Sequence, residues 1–235
     1  MVTLVVALRG ASGLVLAADS RGTIGDPRGL TAINDSQNKL LQLSKFCGVG
    51  LSGASELGAK VFDELQTGVA ASGAEYVDDI LGESRNLLRQ RYDDWFSKFD
   101  LDKRPALMFT IVGYHRLGDG TLIPRTYMLS SQIDFAPQLF GNGNCLMGVP
   151  QYAIYLMHRF FDPDMTIEAL ARLAVYLITE TATQDPKVGG PVQVASITQA
   201  DGFQLIPADA VNEIIQQNDT QNATIKDFFV QGGTN

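Results

Sequence analysis

Short apolar runs alternate with helix-period stretches along this chain, in the order strands, helices, strands, helices, strands. Residues 3–8 (TLVVAL) and 14–19 (LVLAAD) are apolar and rich in β-branched types. With turn chemistry from Arg9 to Gly13 between them, they predict a hairpin whose strands are largely buried. Residues 22–36 mix Gly, Pro, Asp and Asn and predict a loop. Runs 39–43 (KLLQL) and 46–52 (FCGVGLS), split by Ser44-Lys45, predict a second strand pair. From Ser55 the period changes: Leu57, Val61, Phe62 and Leu65 recur at helical spacing, with Ser55 as the expected N-cap. A longer helix is predicted over 75–99, with Val77, Ile80, Leu81, Leu87, Leu88 and Trp95 as its apolar stripe. Strands return at 106–115 and 122–130 around a Gly-Asp-Gly turn at 118–120, with a short strand near 133–139. Helices are then predicted over 145–161 and 166–183, the second capped by Thr166 with Glu168 in its first turn. A strand at 192–198, a tight turn at Asp201-Gly202 and a strand at 203–206 follow. From Gln216 the tail is polar and is expected to be ordered only in part.

Hairpins and helix pairs in blocks point to an α+β layering, sheets packed together and covered by helices. Neither a repeat nor a low-complexity linker interrupts the chain, so 1–235 reads as one domain, with 216–235 as its tail. At 45% hydrophobic and 19% charged residues, a chain of 235 residues can bury a substantial core. Its net charge of −8 argues against a general nucleic-acid or anionic-membrane binder, both of which need a basic footprint. Two cysteines, Cys47 and Cys145, make no disulfide framework and fit a reducing, cytoplasmic setting. With only His115 and His158 available, a Cys–His nucleophile or a His-based metal site is not expected, and nothing implies a cofactor. The opening MVTLVVALRG has no basic leader or small-residue cleavage site and is too short to span a bilayer. The sequons at Asn218 and Asn222 accordingly carry no expectation.

TLVVALRGASGLVLAADSRGT at 3–23 resembles the start of mature proteasome β subunits: a Thr, a hairpin, then an A-A-D-[ST]-R-x-T signature. KLLQLSKFCGVGLSGAS at 39–55 is similar to that family's next block, a Lys-led strand pair ending in Ser-Gly. QDPKVGGPVQVASIT at 184–198 resembles its late Asp-x-x-x-Gly-Gly loop and following strand. The resemblance covers nearly the whole chain. It implies an N-terminal-nucleophile hydrolase with a four-layer αββα sandwich, two antiparallel sheets covered by helix pairs.

The resemblance also implies a site. Thr3 matches the nucleophile, Lys39 the lysine beside it, and Asp19 the aspartate that orients the lysine. A threonine hydroxyl is a poor nucleophile at neutral pH. A first-residue Thr can pass its proton to its own α-amine, of pKa near 8, and a neighbouring ammonium lowers both pKa values. Gly53 matches the residue whose N–H holds the oxyanion. Thr23 matches the residue that holds the substrate backbone as an added strand. Asp185 corresponds to a late supporting acid, and Gly22, Leu51 and Ser55 to the lining of the pocket for the residue before the cleaved bond. That pocket is expected to be apolar and uncharged and to prefer apolar side chains. Taken singly, Thr3 is a strand residue, Asp19 a turn residue and Lys39 an edge charge; only their joint spacing favours chemistry. Arg21 reads as a structural ion-pairing residue. Gly141-Asn142-Gly143-Asn144 follows no phosphate-loop pattern.

Three departures bear on activity. Met1 and Val2 precede Thr3, so the base requires loss of both, by self-cleavage or another peptidase. The family's two serines near the nucleophile are replaced by Asn142, which can hydrogen-bond, and Val188, which cannot. Pro186 stiffens the loop after Asp185. The expected function is a threonine peptidase in a ring or stacked assembly of identical subunits, acting on unfolded chains, with an ATP-dependent unfoldase as partner by analogy. The alternatives are a non-catalytic ring subunit and a small-amide hydrolase. Proteasome α subunits carry an extra N-terminal helix ahead of the first strand; with two residues before its strand, this chain reads as β-type.

Overall fold

The computed structural model describes residues 3–25 and 31–230. The predicted hairpin forms as β1 (Leu4–Arg9) and β2 (Gly13–Ala18), joined in register from Val5 opposite Ala18 to Arg9 opposite Leu14. The segment predicted as a loop holds a two-stranded ribbon instead, β3 (Gly22–Gly25) and β4 (Thr31–Asn34); residues 26–30 lie outside the described ones. Next come β5 (Leu40–Ser44), β6 (Cys47–Gly53), α1 (Ser55–Ser72) and α2 (Val77–Trp95). They are followed by β7 (Leu107–Arg116), β8 (Leu122–Ser130), β9 (Gln138–Leu139), β10 (Cys145–Gly148), α3 (Gln151–Phe160) and α4 (Ile167–Gln184). The chain continues through β11 (Gln193–Thr198), β12 (Gly202–Leu205) and α5 (Ala208–Val230).

Two five-stranded antiparallel sheets stack face to face, ordered β10-β1-β2-β11-β12 and β5-β6-β7-β8-β9. Strand alternation builds three apolar layers. Leu4, Val6, Leu8, Val15 and Ala17 face α3, α4 and α5, whereas Val5, Ala7, Leu14, Leu16 and Ala18 face the other sheet. Cys47, Val49 and Leu51 of β6 pack with α1 and α2. Burial on both faces is why β1 and β2 read as unbroken apolar runs. On its sheet-facing side β6 carries Gly48 and Gly50, where a Cβ would come 2.6 Å from the Phe203 ring and 2.7 Å from Val5. These glycines let the sheets approach. The result is the expected αββα sandwich.

Several boundaries differ from expectation. The N-cap of α1 is Ala54, with no side-chain cap, and Ser55 is the first helical residue. Trp95 is 45% exposed, and α2 buries Ser84 and Tyr92 in its place; Ser84 returns its hydroxyl to the Ile80 carbonyl. Residues 145–161 are not one helix. Gly148, at φ 98°, and Pro150 break the segment, so β10 pairs with β1 before α3 begins. The polar tail is helical through Val230. Val211, Ile214 and Ile215 pack on α4's side of the core, and Asn222 bonds both Tyr176 and Glu180. Among the described residues, no helix is long and apolar enough to cross a membrane.

Candidate active site

The hairpin brings Thr3, just ahead of β1, beside Asp19, just past β2. Because β1 and β2 are antiparallel, residues 16 apart in sequence meet at one end of the sheet. The second sheet supplies Lys39, directly ahead of β5. The Thr3 hydroxyl donates to Asp19 Oδ1 at 2.7 Å. Lys39 Nζ donates to Asp19 Oδ1 at 2.9 Å, to the Arg21 carbonyl at 2.7 Å and to Thr3 Oγ1. Three acceptors match the three protons of an ammonium. All three side chains are buried, at 0%, 0% and 1% exposure for Thr3, Asp19 and Lys39.

A buried carboxylate survives only with partners. Asp19 has five: its Oδ1 also accepts the Leu4 N–H at 3.0 Å, and its Oδ2 accepts the N–H groups of Arg21 at 3.2 Å and Gly189 at 3.1 Å. Burial pushes the Lys39 ammonium below the ordinary lysine range, and the attraction of Asp19 opposes that shift. Chemically, the triangle places a positive donor and a carboxylate acceptor on one hydroxyl oxygen. The ammonium lowers the cost of negative charge developing on Oγ1, and the carboxylate holds that ammonium in place.

The expected neighbours divide. Gly53 ends β6 at φ 105°, opposite Leu107, where a Cβ would strike the Ala106 carbonyl at 2.1 Å. Only glycine fits there. Asn142 lies elsewhere. Its Oδ1 accepts the Asn144 N–H, Asn144 in turn accepts the Arg9 N–H, and Gly143 rests against the Arg9 side chain. This is the far end of β1, about 20 Å from Thr3 at ~3.3 Å per strand residue. The turn that does meet Thr3 is Gly148-Val149. Val149 N–H donates to the Thr3 carbonyl at 2.9 Å, and a Cβ on Gly148 would sit 1.8 Å from that oxygen and 3.2 Å from Ser52 Oγ.

The late loop serves Asp19 more directly than Thr3. Asp185 Oδ1 accepts the Lys187 N–H at 2.9 Å, and Val188 is buried in the helix-side core, which aims Gly189 at Asp19. Arg21 plays the structural part expected of it. It forks onto Asp35 with two contacts of 2.8 Å and donates to the Pro186 carbonyl at 2.9 Å. Sequence reasoning missed Gln193. Its Oε1 accepts the N–H groups of Lys39 at 3.0 Å and Leu40 at 3.3 Å, and its Nε2 donates to the Gln37 carbonyl at 2.6 Å. Gln193 clamps the strand start that carries Lys39. A Gln in the first position of a strand carries no sequence signal for this.

Beside Lys39, a cavity of about 320 Å³ opens against Leu51. Gly22 adjoins it, since a Cβ there would meet the Gln37 side chain at 2.7 Å. The lining is not apolar and uncharged as expected: Asn34, Ser36, Gln37, Asn38 and Glu56 contribute with Leu51 and Ala59. These polar residues come from the end of β4, the β4–β5 connection and the first turn of α1, which spacing alone does not bring together. The Ser55 side chain, like Met1 and Val2, lies outside the described residues. Thr23 sits on β3, which pairs with β4 alone among the described residues, and its hydroxyl is buried with no hydrogen-bond partner among them.

Other chemistries have less to stand on. Cys47 and Cys145 are buried, and burial raises both thiols, Cys145 to about 11. His115 contacts Asp78 through Nδ1. No group of His, Cys, Asp and Glu among the described residues could hold a metal ion. None of the curated proteins matches the chain. A family model does: that of the proteasome subunit, over residues 2–197. The match runs from β1 into β11 and takes in Thr3, Asp19 and Lys39, and the chain belongs to the proteasome subunit family.

Proposed function

We propose that this chain is a threonine peptidase of a proteasome-like assembly, with Thr3 as its nucleophile once Met1 and Val2 are removed. The observation that carries the reading is the contact of Thr3 Oγ1 with Lys39 Nζ, shared with Asp19 in a buried cluster. Thr3 Oγ1 attacks the scissile carbonyl carbon while its proton passes to the freed Thr3 amine. The Gly53 N–H receives the developing oxyanion. The amine then protonates the leaving nitrogen as the C–N bond breaks, and water hydrolyses the acyl ester to restore the hydroxyl. The edge of β3 that carries no pairing among the described residues suits a substrate held as an added strand beside Thr23, and Asp185 supports the loop behind Asp19. The family implies a ring of like subunits. Enclosure of the sites would restrict substrates to unfolded chains, delivered by an ATP-dependent unfoldase.

A second reading is a structural ring subunit. It is favoured by the complete burial of Thr3 while Val2 is still attached to it, and by Val149 and Val188, which offer no hydroxyl near the site. Hydrolysis of a short-peptide panel by the purified protein separates the two. The peptidase reading expects turnover that Thr3→Ala abolishes and Thr3→Ser retains in part. Turnover surviving in Thr3→Ala would remove Thr3 from the mechanism, and turnover absent from a protein whose first residue is Thr3 would favour the structural subunit.

A further inference from the structure

The cavity beside Lys39 has a composition that an apolar subsite would not. It adjoins Lys39, whose ammonium contacts Thr3: Asn38 directly precedes Lys39, and the Leu51 N–H donates to the Lys39 carbonyl at 3.0 Å. Its interior offers two different surfaces. Leu51 and Ala59 give an apolar wall suited to a methylene stem, and Asn34, Gln37 and Asn38 present side-chain amides. Glu56, exposed in the first turn of α1, brings the one charge among the described lining residues. Among the described residues, the nearby cations are engaged elsewhere, and Lys60, one turn along α1 from Glu56, lies over the Trp95 ring at 5.5 Å. Lys39 turns its ammonium to Thr3 and Asp19, and Arg21 is forked onto Asp35.

We propose that this cavity selects a basic side chain, arginine or lysine, in the residue before the cleaved bond, with Glu56 as the specificity-determining residue. The proposal rests on the peptidase reading for its choice of substrate. A stem of three or four methylenes lies along Leu51 and Ala59, and the cationic head meets the amide oxygens and the Glu56 carboxylate. An acidic side chain would face like charge there. A leucine would cover amides without satisfying their hydrogen bonds.

The test is cleavage of three peptides that differ only in that residue, Arg, Leu or Glu, by the full chain and by Glu56→Gln and Glu56→Arg. The expected order is Arg over Leu by about tenfold or more in kcat/KM. Glu56→Gln should cut that ratio by about tenfold, less so in high salt, and Glu56→Arg should shift preference toward Glu. A role for Glu56 confined to the α1 N-terminus would lower the melting temperature and leave the ratio alone. Leu preferred over Arg, or a ratio unmoved within about twofold by Glu56→Gln, overturns the proposal and leaves the peptidase reading standing. If no peptide is cleaved although Thr3 is the first residue, the peptidase reading fails, and the cavity is judged by binding. N-acetyl-arginine amide and N-acetyl-leucine amide are then titrated by NMR against the full chain and Glu56→Gln. Tighter binding of the arginine amide that Glu56→Gln removes supports the cavity's selectivity, and equal binding of the two amides overturns it.

Discussion

The two ends of the β1–β2 pair are built from similar material and hold different things. At the Arg9 end lie a Gly-Asn-Gly-Asn turn, a cavity of about 500 Å³ lined by Tyr114 and Arg9, and side chains that bond to backbone or face water. At the Thr3 end an ammonium, a carboxylate and a hydroxyl are all within 1% of full burial. Moving ions out of water costs several kcal/mol each even after relaxation, so a fold keeps such a cluster only where every lone pair and proton is matched. Asp19 meets five donors, and Lys39 meets three acceptors. Polar residues at a strand end are common. An ammonium, a carboxylate and a hydroxyl buried together at one are a commitment, and the proposed peptidase reading rests on that end.

Substitutions at the two ends should therefore differ sharply. The largest effect belongs to Thr3→Ala, expected to cost about 10³-fold or more in peptide hydrolysis. Because the lost group is one hydroxyl, calorimetry should find the variant still folded. Asp19→Ala should destabilise the fold by about 3–5 kcal/mol, since it strands the Lys39 charge in the interior; urea unfolding measures this. Asp19→Asn should cost less.

The pH profile sharpens the same contrast. The freed Thr3 amine must be neutral, so kcat/KM should rise with pH through the ordinary α-amine range, near ~8. Lys39 must stay charged, and burial lowers its pKa, so the rate should fall again below the ordinary lysine value of ~10.4. The folded chain binds the Lys39 proton less tightly than the unfolded chain does. The cost of burying that charge is therefore full below the lowered folded pKa and is relieved as pH rises from there to the ordinary value. Lys39→Arg should remove the alkaline limb. Gln193→Ala should lower kcat about tenfold with KM nearly unchanged, by loosening the Lys39 backbone. Smallest of all is Asn142→Ala, at the other end, which should leave kcat/KM within about twofold of the wild type.

The sheet layering was legible because β1 and β2 are buried on both faces and their runs are unbroken, and Thr3, Asp19 and Lys39 could be placed because each adjoins a strand end. The rest depends on tertiary contact. Asn142 sits within a Gly-containing turn and Val149 directly follows Gly148, and only the pairing of β10 with β1 shows which one reaches Thr3. Reading 145–161 as one helix hid that pairing, because an apolar stretch of this length suits either state until Gly148 and Pro150 are weighed as breaks. Glu56 and Gln193 each lie in an ordinary position along the chain, and their significance comes from what folds against them.

The central claim, that Thr3 becomes a first residue with a free amine beside Lys39, is tested most directly by the intact mass of the purified protein that hydrolyses peptides. The account predicts a mass lacking both Met1 and Val2, with the two residues retained, or Met1 alone lost, in Thr3→Ala where cleavage is autocatalytic. Active protein that still carries Val2 on Thr3 would contradict it.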